Sequence, residues 1–135
     1  MFMGQFSHSL DEKGRLIIPS KFRDELGRQF VVAKGYDSCL YAYSNEEWMK
    51  FASEITELPE TIEDNRIKRR YFLSTATDVE MDKQGRVLIP PYLRDAARID
   101  KDVMIAGIGK KLEIWDSALW AEVTGSAAAE EIARR

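Results

Sequence analysis

A fourteen-residue stretch of this sequence occurs twice, at residues 11–24 and 82–95, and the duplication limits the folds that the chain can adopt. Seven of the fourteen positions carry the same residue at a constant offset of 71. The identical pairs are Asp11/Asp82, Gly14/Gly85, Arg15/Arg86, Ile18/Ile89, Pro19/Pro90, Arg23/Arg94 and Asp24/Asp95. The chain is therefore expected to contain two copies of one structural unit.

Each copy begins like the tip of a β-hairpin. An aspartate at the first position and a glycine at the fourth are typical of a type I turn that is closed by a left-handed glycine. We therefore assign loop-forming roles to Asp11, Gly14, Asp82 and Gly85.

Apolar residues and then a proline follow each turn. The apolar residues are consecutive, at 16–18 and 87–89, which predicts strands that are buried on both faces inside a barrel. Proline ends each strand because it has no N–H to donate. Residues 20–26, followed by Gly27, and residues 91–97 are then predicted to form short helices.

The arginine after each turn is the most informative residue of its copy. Arg15 and Arg86 directly follow the tight turns, and each turn also carries a lysine, Lys13 or Lys83. In one interpretation, each arginine folds back on the aspartate of its own turn and holds the loop. In the other, the guanidinium faces outward, where its planar set of donors suits a phosphate or a guanine edge. The two interpretations are compatible, and both stay open.

These residues resemble a known domain. The pattern D-x-x-G-R-h-h-h-P-x-x-h-R-D, in which h is apolar, resembles the SpoVT-AbrB domain. Two copies in a short chain that opens with Met1-Phe-Met-Gly4 resemble the MraZ family of bacterial transcription regulators, over about residues 1–120. The second copy departs from the first by carrying Pro91, Tyr92 and Ala96 in place of Ser20, Lys21 and Glu25. Its short helix is therefore expected to contact a ligand less well.

The resemblance implies a fold and a function. The fold is α+β, a tandem-repeat swapped-hairpin β-barrel of the AbrB type with flanking helices. The function is that of a sequence-specific DNA-binding transcription regulator, which assembles into rings and acts on direct repeats upstream of its own cell-division and cell-wall operon. Under this hypothesis Arg15 and Arg86 lie side by side on one basic face. The residues expected to serve phosphates are Lys13, Lys83, Lys21, Arg23 and Arg94.

The chain divides into four predicted segments. Residues 5–47 and 76–119 form the two repeats, residues 48–75 form connecting helices, and residues 120–135 form a helical tail. The helix at 46–57 has an apolar stripe that is expected to pack on the core. For the basic helix at 61–74 we keep three interpretations: a solvated face, contacts to DNA phosphates, and ion pairs with the acidic segment of a neighbouring subunit.

Charge is spread unevenly along a chain of net charge −3. Residues 1–35 and 66–98 carry net charges of +2 and +4, whereas residues 36–65 and 99–135 carry −7 and −2. The two basic segments contain the duplicated stretch. Since exposed charges are screened beyond about 8–10 Å at physiological salt, a local basic face can bind DNA on an acidic protein.

Few residues favour catalysis, metal binding or a membrane location. Cys39 and His8 are the only cysteine and histidine, so neither an internal disulfide nor a zinc or iron site is predicted. No motif of a nucleophilic triad is present, and we expect no enzyme activity, cofactor or small-molecule substrate. No apolar run approaches 18 residues and no secretory pattern is found. These features predict a protein of the cytoplasm that does not associate with a membrane. The resemblance implies that it associates with the nucleoid.

Two further function classes compete with DNA binding. One is a protein-interaction module, similar to the antitoxin members of this fold group, that engages a partner through the apolar helices at 46–57 and 116–120. The other is a small barrel enzyme. Binding that depends on phosphates must weaken steeply as salt rises, which distinguishes the DNA-binding hypothesis from the interaction module.

Overall fold

The duplicated stretch forms the same three elements in both halves of the computed structural model, namely a turn, a short strand and a short helix. The structure describes residues 1–135, apart from the side chain of Ser126. The first half comprises β1 (Phe2–Ser9), β2 (Arg15–Ile17), α1 (Ser20–Leu26), β3 (Gln29–Lys34), β4 (Cys39–Ser44), α2 (Asn45–Glu57) and α3 (Glu63–Thr75). The second comprises β5 (Thr77–Glu80), β6 (Arg86–Leu88), α4 (Pro91–Ala96), β7 (Asp102–Gly109), β8 (Leu112–Asp116), α5 (Ser117–Val123) and α6 (Ser126–Arg134).

Local sequence signals set the ends of the helices. The Ser44 hydroxyl accepts a hydrogen bond from the Glu47 N–H at 3.2 Å where α2 begins. The Asp116 carboxylate accepts one from the Ala118 N–H at 3.1 Å where α5 begins. Side-chain oxygens of this kind satisfy amide groups that have no partner within the helix. Gly27 follows α1 with a φ of 86°. The predicted helix starts and the glycine after α1 are confirmed.

Two strands flank each hairpin tip and form its arms, β1 and β2 in the first copy and β5 and β6 in the second. These arms pair with strands of the other copy. β1 pairs with β7, β5 pairs with β3, and β2 pairs with β6, in every case antiparallel. The pairs β3–β4, β4–β8 and β7–β8 complete a six-stranded sheet in the order β1-β7-β8-β4-β3-β5. Because the arms are exchanged, neither copy completes its strand pairing alone.

The strands do not close into a barrel. β1 and β5 are the edges of the six-stranded sheet, and β2 and β6 form a separate two-stranded ribbon. The predicted α+β class is confirmed, whereas the predicted barrel of the AbrB type is not, since no ladder of hydrogen bonds joins β1 to β5 in the described chain.

One hydrophobic core is shared by both copies. Leu16 and Val87 of the ribbon, Phe22 of α1 and Leu93 of α4 belong to the same cluster as Leu40 from the large sheet. Each of these side chains is at most 2% exposed. A repeat of this length buries too little apolar surface by itself, so a common core is the expected solution.

A second cluster lies on the opposite face of the sheet, under the longer helices. Trp48, Phe51 and Ile55 of α2 pack with Tyr43 of β4 and Phe72 of α3. The Phe51 ring is stacked on Tyr43 at 5.3 Å and meets Phe72 edge-on at 5.1 Å. The predicted packing of the α2 stripe on the core is confirmed.

The outer face of the ribbon is open to solvent, against the expectation from the sequence. Leu16 and Val87 point into the core, but Ile17 is 41% and Leu88 is 54% exposed. The prediction that residues 16–18 and 87–89 are buried on both faces is therefore wrong for these two residues. Successive side chains of a strand point to opposite faces, and only the inner face of this ribbon is covered.

Candidate nucleic-acid interface

The two hairpin tips have the same hydrogen-bond geometry. In the first tip, the Gly14 N–H donates to the Asp11 carbonyl and the Asp11 N–H donates to the Arg15 carbonyl, both at 3.0 Å. The equivalent bonds of Gly85 and Asp82 measure 3.0 and 2.8 Å. The glycines have φ values of 81° and 78°, in the left-handed region that glycine adopts without strain. The predicted turn is present at both tips.

Each tip aspartate binds the backbone and the arginine of its own turn. Asp11 Oδ1 accepts hydrogen bonds from the N–H groups of Lys13 and Arg15 at 2.9 Å, and Oδ2 accepts one from Arg15 Nε at 2.7 Å. Asp82 makes the same 2.7 Å contact with Arg86 Nε. These bonds, led by the backbone N–H of the arginine, hold the pKa of both carboxyl groups below the ordinary value. The carboxylates therefore stay ionised near neutral pH and hold the arginines.

The fold-back of each arginine leaves its outer donors free. Arg15 and Arg86 use Nε for the aspartate, and their η nitrogens form no hydrogen bond to any residue that the structure describes. The two side chains are 29% and 30% exposed. A guanidinium has five N–H donors, so four remain on each arginine. The intramolecular interpretation is confirmed, and the geometry also permits the outward one.

The two arginines lie on the same face of the β2–β6 ribbon. Arg15 is opposite Leu88 and Arg86 is opposite Ile17. Residues two apart on a strand share a face, so these four side chains form the outer face of the ribbon. Diagonal neighbours in such a strand pair are about 7–8 Å apart. The two arginine side chains therefore start from neighbouring positions on one exposed surface.

Arg23 and Arg94 pack on the tip of the opposite copy. A Cβ atom at Gly14 would lie 2.9 Å from Cζ of Arg94, and one at Gly85 would lie closer still to the guanidinium of Arg23. Arg23 Nε donates to the Ile18 carbonyl at 2.7 Å. Arg94 Nε is buried without a hydrogen-bond partner among the described residues. Both side chains thus support a turn of the other copy, which the sequence did not predict.

Backbone bonds also join each strand end to the opposite tip. The Ile18 N–H donates to the Gly85 carbonyl at 2.9 Å, and the Ile89 N–H donates to the Gly14 carbonyl at 3.1 Å. Glycine is required at the turns for two reasons, a positive φ and the close approach of an arginine. The two tips and the ribbon between them are therefore one interlocked unit.

The predicted lysine contacts fall in two different places. Lys13 and Lys83 are both exposed at the tips. They occupy different positions, since Lys13 is the third residue of its turn and Lys83 is the second. Lys21 instead folds back over β1, with Nζ 5.9 Å from the centroid of the Phe6 ring. Its counterpart Tyr92 donates a hydrogen bond to the Thr75 carbonyl at 2.8 Å. The structure therefore brings the tip lysines, but not Lys21, next to the ribbon arginines.

Comparison with known proteins identifies the family. The sequence model of the family described as "MraZ protein, putative antitoxin-like" matches residues 1–70 and 72–134. The matched segments begin at residues 1 and 72, so they are 71 residues apart, as are the duplicated stretches. The chain belongs to the MraZ family.

Relatives in the MraZ family match almost the whole chain. A protein of Caldanaerobacter subterraneus named Transcriptional regulator MraZ is 48% identical over 126 residues, which is 93% of this chain and 88% of the relative. One of Acetivibrio thermocellus with the same name is 47% identical over 137 positions, 100% of this chain and 96% of the relative. One of Lachnoclostridium phytofermentans, also so named, is 50% identical over 120 residues, 89% and 84% of the two chains.

An open groove borders the second tip of this MraZ-family chain. Its volume is about 260 Å³, and it lies between α1 and the turn that begins at Asp82. Its charged lining residues are Arg23, Asp24, Arg28, Asp82 and Lys83. With three bases and two acids, the groove extends the charged surface of the tip toward α1.

Two residues of the MraZ-family ribbon were missed by the sequence reasoning. Ile17 and Leu88 share the outer face with the arginines, and they had been expected inside. Side chains alternate between the two faces of a strand, so the residue two positions after an outward-facing arginine must also face outward. The exposure of Ile17 and Leu88 could therefore have been predicted from the sequence. The contacts of Arg23 and Arg94 had no such signal, since they join residues that are distant in the sequence.

Another reactive group of this MraZ-family chain is the thiol of Cys39. The Cys39 thiol is buried, and burial raises its pKa to about 12, so it is a poor nucleophile. Within the described residues, no three histidine, cysteine, aspartate or glutamate side chains are grouped so as to hold a metal ion. None of the described helices is both long enough and apolar enough to span a membrane.

Proposed function

We propose that this chain is a DNA-binding transcriptional regulator whose interface is the outer face of the β2–β6 ribbon with its two tips. The observation that carries the proposal is the position of Arg15 and Arg86 on one exposed face, each with four unused N–H donors. Guanidinium groups of this kind bind phosphate oxygens or the O6 and N7 atoms of guanine. The names of the relatives support a role in transcription.

We divide the work between base contacts and phosphate contacts. Arg15 and Arg86 read base edges, because their fold-back on an aspartate fixes the orientation of the fork. Lys13 and Lys83 meet phosphates on either side, since the antiparallel strands put the two tips at opposite ends of the ribbon. Lys21, Arg23 and Arg94 add positive charge behind this surface, and the last two also hold the turns.

The assembly that we propose follows from the family resemblance. Residues 5–47 and 76–119 are two SpoVT-AbrB units whose exchanged arms form the swapped-hairpin arrangement. Several such chains form a ring in the cytoplasm, at the nucleoid, and the ring engages direct repeats upstream of its own cell-division and cell-wall operon. Linked weak contacts gain strongly from a high effective concentration. This gain offsets the weak attraction to DNA expected of a chain with net charge −3.

The protein-interaction alternative has less support. It requires the apolar stripe of α2 to face a partner, but Trp48, Phe51 and Ile55 pack inside the second cluster. α5 has no fully buried residue, yet Leu119 and Trp120 pack against the same cluster. Neither helix presents its whole apolar stripe to solvent.

Footprinting on the DNA upstream of the chain's own gene tests the proposal. We expect protected segments that recur at a regular spacing, with the size of the assembly measured in parallel. A salt titration by fluorescence anisotropy accompanies it, with a shuffled duplex of equal length as control. Binding to the target must fall steeply between low and high salt, because neutralised phosphates release counterions. Equal binding of both duplexes, or affinity that does not depend on salt, would refute the proposal.

A further inference from the structure

Two exposed aliphatic side chains accompany the ribbon arginines. Ile17 and Leu88 are 41% and 54% exposed, while Leu16 and Val87 on the inner face are 1% exposed or less. The two residues occupy equivalent positions of the duplicated stretch, at the offset of 71. A single exposed aliphatic residue needs no explanation, but here both copies expose one at the same place.

Each aliphatic residue stands directly across the ribbon from an arginine. The register pairs Arg15 with Leu88 and Ile17 with Arg86. Cβ atoms of directly opposite residues are about 4.5–5.5 Å apart. The outer face therefore presents the same pair twice, an arginine with free N–H donors directly opposite an aliphatic residue, once with the arginine on β2 and once with it on β6.

Only one surface of a DNA duplex matches that pair. Phosphates offer charge but no apolar group, and the minor groove is only about 6 Å wide and presents no methyl group. The major groove, about 12 Å wide, admits a two-stranded β-ribbon and presents both guanine acceptors and the C5-methyl group of thymine. Residues two apart on a strand are about 6.6 Å apart, close to two base-pair steps of about 3.4 Å each.

We propose that Ile17 and Leu88 are specificity-determining residues that contact thymine C5-methyl groups in the major groove. They lie beside the bases that Arg15 and Arg86 read, so a thymine is expected within about two base pairs of each guanine that is contacted. This inference rests on the proposed function, because it requires the ribbon to face DNA. It adds the chemical group that the aliphatic side chains recognise.

Deoxyuridine substitution tests the inference without altering the protein. Deoxyuridine differs from thymidine only by the missing C5-methyl group. In the segment protected by the parent protein, each thymidine is replaced singly, and binding is measured by anisotropy. We expect one or two positions per site at which binding weakens about fourfold, the effect of one buried methyl-sized group. Thymidines outside the protected segment are the control positions.

Protein variants then assign the methyl group to a side chain. Ile17→Ala and Leu88→Ala should each weaken binding to the thymidine duplex about fourfold or more, and each should become insensitive to deoxyuridine at its own position. Ile108→Ala is the matched control, since Ile108 is 44% exposed but lies on β7 of the large sheet. It should keep both the parent affinity and the parent sensitivity.

The outcomes separate this inference from the proposed function. If the parent binds its target but no deoxyuridine position weakens binding, the inference is overturned and the proposed function stands. If a sensitive position exists but Ile17→Ala and Leu88→Ala are as sensitive as the parent, another group contacts the methyl and the inference is overturned too. If the parent binds no DNA at all, the proposed function itself fails. The inference is supported if each alanine variant binds the thymidine duplex more weakly and is insensitive to deoxyuridine at one position.

Discussion

The two copies repeat their hairpin tips closely and their supporting elements loosely. The contact between arginine Nε and aspartate is 2.7 Å in both tips, and the turn glycines have φ values of 81° and 78°. By contrast, β1 has eight residues and β5 has four, while α2 has 13 and α5 has seven. The outward-facing ribbon is therefore held to one geometry, whereas the elements behind it vary. A ligand that meets the ribbon meets nearly the same surface twice.

Single positions behind the tips show how the copies have diverged. Arg23 Nε has the Ile18 carbonyl as a partner, but the equivalent Arg94 Nε has none among the described residues. Gly27 and its equivalent Arg98 both have a positive φ, 86° and 55°, although only one is a glycine. These differences predict unequal effects of the same substitution in the two copies.

The largest effect is expected in the shared core. Leu16→Ala should lower the free energy of unfolding by about 2–5 kcal/mol, and Val87→Ala by somewhat less, because fewer buried atoms are removed. Since one core joins the copies, each variant should unfold in a single transition by urea denaturation followed with tryptophan fluorescence and circular dichroism. Ile17→Ala, on the exposed face, should change stability by about 0.5 kcal/mol or less. Two separate transitions would show that the copies fold independently.

A smaller and unequal effect is expected at the crossed arginines. Arg23→Met should lower the free energy of unfolding by about 1.5–3 kcal/mol, the range for a hydrogen bond from a charged group. Arg94→Met should cost much less, because its buried Nε has no hydrogen-bond partner to lose among the described residues. Urea titrations of both variants measure the difference. Equal losses, or a larger loss for Arg94→Met, would contradict the asymmetry.

The left-handed residues after α1 and α4 should respond in opposite directions. Gly27→Ala should lower stability by about 1–3 kcal/mol, because its backbone, with φ 86° and ψ 158°, is almost confined to glycine. Arg98→Gly should raise stability by about 0.5–1 kcal/mol, since glycine avoids the left-handed cost but loses more chain entropy. Thermal and urea unfolding measure both, and Arg98→Ala controls for the loss of the side chain. If Arg98→Gly were less stable than the parent, the positive φ of Arg98 would not be a source of strain.

The smallest effect concerns pH and should be the same in both copies. The pKa of Asp11 and of Asp82 is below its ordinary value of 3.8, mainly through the backbone N–H of the following arginine. The stabilisation of each tip is therefore present above pH 3.8 and is lost as the pH falls through the lower folded-state pKa. Carboxyl ¹³C NMR titration should give two similar midpoints below 3.8. An ordinary midpoint for either aspartate would mean that its tip does not form in solution.

The sequence predicted the local features of this fold better than its long-range ones. Asp11 and Gly14 identified the turn, and Ser44 and Asp116 identified helix starts, because each acts through bonds to neighbours in the chain. The exchange of arms between the copies was implied only by family resemblance. Burial of Ile17 was predicted wrongly because a run of apolar residues does not show whether a second layer covers it.

The candidate site was predicted only where its residues are positioned by neighbours in the chain. Arg15 and Arg86 could be found because a repeated tight turn determines the position of the next residue. The contacts of Arg23 with Gly85 and of Arg94 with Gly14 depend on how the copies interlock, which no local pattern encodes. The tertiary arrangement of the two copies therefore determines which of the repeated basic side chains face outward.

Binding of target DNA by the Arg15→Ala/Arg86→Ala double variant tests most directly whether the outer face of the ribbon contacts DNA. Arg134→Ala/Arg135→Ala removes two exposed arginines from α6 and the chain end and is matched in charge. With folding verified by circular dichroism, the ribbon variant should lose about thirtyfold or more in affinity, as expected for two guanidinium contacts, while the tail variant keeps the parent affinity. A folded ribbon variant that binds the target as tightly as the parent would contradict the assignment of this face to DNA.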